Sequence, residues 1–217
     1  MPLDYDRVAM LNRFRQFWTK VITPIATLLL KLGVTADMVT LVGTIGVSAG
    51  ALIFFPRGQL WLGVVVITCF VFSDLIDGYM ARASGRTSRF GAFFDSTLDR
   101  IGDGAIFGGL LLYFAGPGDS QLYVCVTLYC LVMGSVTSYA RARAESLGMQ
   151  AKGGIAERSD RLVSILLMTG LAGMLDLPIL VEVTLWALAA ASTVTVLQRI
   201  LMVRKQSLVA PEQTSGP

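Results

Sequence analysis

The stretch Asp74-x2-Asp77-Gly78-x2-Ala81-Arg82-x8-Gly91-x3-Asp95-x3-Asp99 decides how this chain is read, because it sets four carboxylates within and beside long apolar runs. Asp74 and Asp77 stand three positions apart, Asp95 and Asp99 four. On helices those spacings stack each pair on one face, and a short connection between two helices brings the faces together as one cluster. Four negative charges in a partly dehydrated pocket repel by several kcal/mol for each close pair, even at an effective dielectric of about 20. Cations must neutralise them. All-oxygen ligation selects a hard divalent ion, Mg²⁺ or alternatively Mn²⁺, and two such ions would balance the four aspartates and bridge a diphosphate. Helix capping, or pairing with Arg82, Arg86, Arg89 and Arg100, accounts for one Asp per helix start but not for an i,i+3 pair facing an i,i+4 pair. Asp103 extends the second stripe as an outer partner. Gly78 and Ala81 follow Asp74 at i+4 and i+7, leaving a trough through which a bulky ligand reaches the backbone; close helix packing is the alternative use of such small residues.

Working outward, the 217 residues are 54% apolar and 15% charged, with a mean hydropathy of +0.65. Soluble domains average about 25% charge, so the composition is that of a membrane protein. Six apolar stretches approach the roughly 20 residues needed to cross a hydrocarbon core. They are Val39–Phe55, Leu60–Met80, Gly91–Ala115, Gln121–Ala140, Leu162–Leu175 and Leu177–Val203, with turns at Pro56-Arg57-Gly58 and Gly116-Pro117-Gly118. The expected fold is therefore all-α, an integral-membrane six-helix bundle over residues 39–205, preceded by an amphipathic juxtamembrane segment (1–38) and followed by a disordered tail (206–217).

Basic residues flanking spans stay on the cytoplasmic side. Of 18 Lys and Arg, 17 fall in segments that six spans place on one face, and only Arg57 lies opposite. Both termini and the aspartates are thereby expected to face the cytoplasm, at the cytoplasmic membrane. The net charge of +3 gives no reason to expect a nucleic-acid partner. Residues 1–38 mix Arg, Asp and Gln instead of showing a secretory signal. Leu11, Phe14, Trp18, Val21 and Ile25 recur at helical spacing, as in a helix lying in the headgroup layer.

Cys69, Cys125 and Cys130 sit in apolar runs without C-x-x-C spacing, which suggests neither a disulfide framework nor a zinc site. The chain has no histidine. That excludes Ser-His-Asp catalysis, His-ligated metals and imidazole acid–base chemistry, leaving carboxylates, hydroxyls, Arg and Lys.

The quoted stretch matches the signature of the CDP-alcohol phosphotransferase family at every fixed position, and the hydropathy and N-terminal segment resemble that family's layout. The resemblance implies a metal-dependent enzyme in which Asp74, Asp77, Asp95 and Asp99 hold the ions and Asp99 also takes the proton of the acceptor hydroxyl. It implies that Gly78, Ala81 and Arg82 hold the cytidine nucleotide of a CDP-lipid and that Ser88 lies near the diphosphate. Upstream, Thr35-Ala36-Asp37-Met38-Val39-Thr40 resembles the family's Thr-Pro-Asn/Asp-x-x-Thr lead into span one, a further nucleotide contact, with Ala36 in place of the usual Pro. A homodimer is also implied; Gly46-x3-Gly50 and Gly104-x3-Gly108 are candidate close helix contacts within or between chains.

The acceptor is encoded less clearly than the aspartate cluster, and its candidate residues are arginines. Arg141 and Arg143 end span four, Arg158 and Arg161 begin span five, and Arg199 lies inside span six. The positive-inside rule accounts for most of them, but an Arg as deep as Arg199 invites an anion. Arg141, Arg158, Arg161 and Arg199 are the candidate site for an acceptor phosphate. The stretches Ile22-Thr23-Pro24-Ile25-Ala26, Ser138 to Glu145, Glu157-Arg158-x2-Arg161 and Gln198-Arg199 resemble actinobacterial family members that make phosphatidylinositol phosphate. The implied reaction joins CDP-diacylglycerol to inositol 1-phosphate (1D-myo-inositol 3-phosphate), releasing CMP. Glycerol 3-phosphate as acceptor is the alternative within the family. A divalent-metal transporter is the alternative outside it, although transport sites lie near the midplane rather than at one end of the spans.

Overall fold

Polar caps set the starts of three helices. Thr35 Oγ1 accepts from the Met38 N–H at 3.3 Å and Ser88 Oγ from the Gly91 N–H at 2.8 Å. Glu157 and Asp160 cap reciprocally, each side chain accepting from the other's backbone N–H. Each cap satisfies a donor that the first helical turn leaves unpaired. The computed structural model describes residues 23–71, 76, 78–80 and 88–209, and among them every regular element is helical. These are α1 (23–31), α2 (Ala36–Phe54), α3 (Leu60–Val71), α4 (Arg89–Ala115), α5 (Gln121–Ser146), α6 (Arg158–Leu175) and α7 (Ile179–Val209). A 3₁₀ turn, Phe55–Arg57, closes α2 on left-handed Gly58 (φ 75°), at the turn expected there.

Among the described residues, three helical stretches are long and apolar enough to cross a membrane: Ala36–Arg57, Gln121–Ser146 and Ile179–Leu208. They coincide with expected spans one, four and six. Expected span two begins as α3, and its residues 72–75 and 77 lie outside the described residues. Helices α4 and α6 match expected spans three and five in position, but each carries a charged group in its first half: Asp95, Asp99 and Arg100 in α4; Arg158, Asp160 and Arg161 in α6. Large apolar side chains face outward along the apolar helices, among them Leu41, Ile45, Leu128, Val132, Trp186 and Leu197. Water would penalise such a surface and lipid does not.

The described residues form two compact units, 23–48 with 66–102 and 49–65 with 103–209. In the first, Ala26 and Met80 are buried, surrounded by Leu29, Leu30, Val34, Ala36, Val39, Ile76 and Tyr79. Gly46 faces the Phe70 ring so closely that a Cβ there would come within 2.2 Å of it. In the second, α5 and α6 both pack along α7, and Phe55, Phe114, Ile165, Val181 and Leu185 are buried. Small residues permit close approach where lipid supplies no hydrophobic drive between helices. The glycine that does this on α4 is Gly109, whose Cβ would meet the Ala51 carbonyl at 2.6 Å; around Gly104 there is open space and Gly108 makes only ordinary contact. Of the expected N-terminal amphipathic stripe, Leu11, Phe14, Trp18 and Val21 lie outside the described residues, while Ile25 is exposed on α1 beside buried Ala26. Helix α7 continues past 205, and Gln206 is hydrogen-bonded to Gln150.

Candidate active site

In the first unit the beginnings of α2 and α4 meet. Thr35 and Ser88 are the two caps, Asp37 is the second residue of α2 and Gly91 the third of α4. A Cβ on Gly91 would lie 3.2 Å from Ser88 Oγ and 3.4 Å from Asp37 Oδ1. A side chain at 91 would press on the Ser88 hydroxyl and come into ordinary contact with the Asp37 carboxylate, and glycine leaves that corner open. Ala36, where the family pattern has Pro, is the first helical residue of α2, the position that tolerates Pro because its N–H has no helical partner; Ala fits there without altering the cap.

Asp95 and Asp99 follow one turn apart on α4, as their spacing predicts. Asp95 is exposed and Asp99 half-buried, with Arg100 3.8 Å from the Asp99 carboxylate. Two accessible carboxylates on one helix are a hard oxygen donor set suited to Mg²⁺ or Mn²⁺. Asp74, Asp77, Ala81 and Arg82 lie outside the described residues, and among the described residues no three acidic or thiol side chains gather as a metal site. Gly78 is half-buried next to the core residues Tyr79 and Met80. Of the other expected nucleotide contacts, Met38 is exposed, Val39 joins the core and the Thr40 hydroxyl donates to the Ala36 carbonyl at 3.1 Å.

The second unit holds the arginines. Arg161 is 3% exposed and Arg199 4%. Arg161 donates to the carbonyls of Ala156 at 3.1 Å and Gly134 at 3.4 Å. Gly134 makes room: a Cβ there would touch the guanidinium at 3.4 Å. Arg199 donates to the carbonyls of Gly153, at 3.2 Å, and Thr137, at 2.5 Å. Its charged neighbours are Arg141, Glu157 and Glu145. Arg158 pairs with buried Asp103 at 3.0 Å, giving that carboxylate a specific partner, and Arg141 pairs with Glu145 one turn away. Arg141 and Arg158 thus stand at partly exposed positions, whereas Arg161 and Arg199 are deeply buried.

Sequence reasoning did not single out the loop between α5 and α6, which carries one backbone acceptor for each buried guanidinium. Its only signal was Gly153-Gly154, both with positive φ (91° and 139°).

Comparison with known proteins identifies the family. Residues 33–197 match the CDP-alcohol phosphatidyltransferase family. The phosphatidylinositol phosphate synthase of Streptomyces avermitilis is 50% identical over 215 residues, covering 96% of this chain and 88% of that one. That of Cutibacterium acnes is 50% identical over 203 residues, 90% and 98% of the two chains. The crystal structure of Mycobacterium tuberculosis phosphatidylinositol phosphate synthase with CDP-DAG bound has a TM-score of 0.80 at 44% identity, covering 85% of this chain and 94% of that chain. The same enzyme in complex with manganese and citrate also scores 0.80, at 42% identity, covering 90% and 93%. With the aspartate signature, the helical fold and these relatives in agreement, the chain belongs to the CDP-alcohol phosphatidyltransferase family.

Proposed function

We propose that this enzyme transfers the phosphatidyl group of CDP-diacylglycerol to inositol 1-phosphate, giving phosphatidylinositol phosphate and CMP. Relatives that share half of its residues carry that activity in their names, and membership in a transferase family sets aside the metal-transporter reading. The observation that carries the acceptor assignment is Arg199. It is a guanidinium in a stretch apolar enough to span a membrane, almost wholly buried, with hydrogen bonds to two carbonyls. A buried Arg costs several kcal/mol unless an anion compensates it. Glu145 and Glu157 lie among its charged neighbours, an acceptor phosphate would add a further anion, and Arg161, Arg158 and Arg141 add donors.

Asp74, Asp77, Asp95 and Asp99 would hold two divalent ions, Mg²⁺ or Mn²⁺. Bound there, the ions would supply charge withdrawal from the diphosphate and stabilisation of departing CMP. Asp99 takes the proton of the attacking hydroxyl, its half-buried carboxylate lying one turn beyond Asp95. Asp37, Ser88 and Gly91 line the nucleotide end together with Met38, Val39, Thr40, Gly78, Ala81 and Arg82. On a helical wheel, positions 74, 77, 78 and 81 fall opposite 76, 79 and 80, the residues used by the core, which supports an acidic face turned to substrate. Six spans over residues 39–205, a headgroup-level N-terminal helix, cytoplasmic termini and a homodimer complete the reading, supported by the one-sided distribution of Lys and Arg.

The test is release of radiolabelled CMP from CDP-diacylglycerol with inositol 1-phosphate, glycerol 3-phosphate, serine or free inositol. Turnover only with inositol 1-phosphate is expected. Preference for glycerol 3-phosphate selects the alternative acceptor, and equal use of free inositol removes the phosphate from the reading.

A further inference from the structure

The loop from Leu147 to Glu157 carries three glycines with positive φ, at 148, 153 and 154, yet it is tied to α7 at three heights. Gln206 exchanges two hydrogen bonds with the backbone of Gln150, accepting from its N–H at 2.9 Å and donating to its carbonyl at 2.5 Å. Arg199 donates to Gly153. The third tie is Thr195, 0% exposed. Its hydroxyl accepts from the Ala156 N–H at 3.1 Å and donates to the Ala191 carbonyl at 2.8 Å, so both its bonding directions are fixed. Its methyl fills the space over Gly154, where a Cβ would come within 2.3 Å. Gly154 has φ 139°, which L side chains rarely adopt, and only a residue without Cβ satisfies both the backbone angle and the contact.

The same short segment holds both buried guanidiniums, through the Gly153 carbonyl for Arg199 and the Ala156 carbonyl for Arg161. Thr195 grips the peptide between them, since the N–H it binds and the carbonyl that Arg161 uses belong to the same residue. We propose that Thr195 is a positioning residue for the acceptor: it clamps residues 153–156 to α7 so that Arg161 and Arg199 stand at the separation that an acceptor phosphate requires. This rests on the acceptor reading given above. Thr195 touches neither the reacting atoms nor the phosphate in this scheme and acts only through the loop.

Thr195→Val keeps the side-chain shape and leaves the buried Ala156 N–H without its acceptor, a loss that corresponds to about tenfold in an equilibrium constant. Thr195→Ser restores the hydroxyl. In the full-length enzyme, KM for inositol 1-phosphate is expected to rise about tenfold in Thr195→Val, with KM for CDP-diacylglycerol within about twofold of wild type and Thr195→Ser closer to wild type than Thr195→Val. Gly154→Ala perturbs the same contact from the loop side and is expected to give the same split. Hydrogen–deuterium exchange of residues 153–157 should show faster exchange in Thr195→Val. Unchanged exchange in Thr195→Val would overturn the clamp, as would equal shifts in both KM values or a fall in kcat alone. A wild type that uses no phosphorylated alcohol overturns the acceptor reading instead, and the exchange comparison still reports separately whether the clamp exists.

Discussion

The two units carry their charged groups in opposite ways. In the first, Asp95 is exposed, Asp99 half-buried and Asp37 lies against a glycine, so the carboxylates stand where ions and a nucleotide can reach them. In the second, Arg161 and Arg199 are sunk among helices and held by backbone carbonyls. The difference follows from what each partner requires. A divalent ion brings its own charge and neutralises the carboxylates on arrival, so the acids need only correct spacing along one helix. A guanidinium that is to grip a phosphate must be oriented beforehand, and carbonyls from the loop and from α5 orient both of these.

The largest effect should come from the exposed side of this contrast. Asp99→Asn is expected to lower CMP release by at least about a hundredfold, with the thermal midpoint unchanged in detergent; near wild-type turnover would mean that the carboxylate is not the proton acceptor. Next is Arg199→Gln, for which KM for inositol 1-phosphate should rise about thirtyfold, or ~2 kcal/mol, while KM for CDP-diacylglycerol stays fixed. If Arg199→Gln raises both KM values equally, the contrast between donor and acceptor groups is lost. Gly46→Val, made against the Phe70 ring, tests packing instead of chemistry. It should cost about 1–3 kcal/mol in stability, read as a lower melting temperature with KM values near wild type. The smallest expected change is in Ser88→Ala, which removes the α4 cap for about 1 kcal/mol and sharpens the comparison only if the donor KM alone moves.

These expectations also show where sequence was informative. The proposed metal residues, with Gly78, Ala81, Arg82 and Ser88, are legible because they lie at fixed spacing within one stretch, from Asp74 to Asp99. Helix ends were less legible, since hydropathy reports the oily part of a helix and not its hydrogen-bonded length. Helix α6 was expected from Leu162 but starts at Arg158, where the Glu157–Asp160 cap satisfies the first turn. Helix α5 runs to Ser146 instead of Ala140 for the same reason, its last turns carrying Arg141, Arg143 and Glu145. Thr195 could not be found at all from sequence: a threonine in an apolar helix is unremarkable until the loop 39 residues away is seen to rest on it. The aspartates are a local code, whereas the proposed acceptor site draws on residues far apart in the chain.

The amide pair between Gln150 and Gln206 has a consequence of its own. Both of its hydrogen bonds join neutral groups, so neither proton concentration nor dissolved electrolyte weakens them as it would an exposed ion pair. The end of the loop whose carbonyls receive Arg161 and Arg199 is thus fastened by a latch indifferent to ionic composition, and changes in salt are left to act on the charged groups.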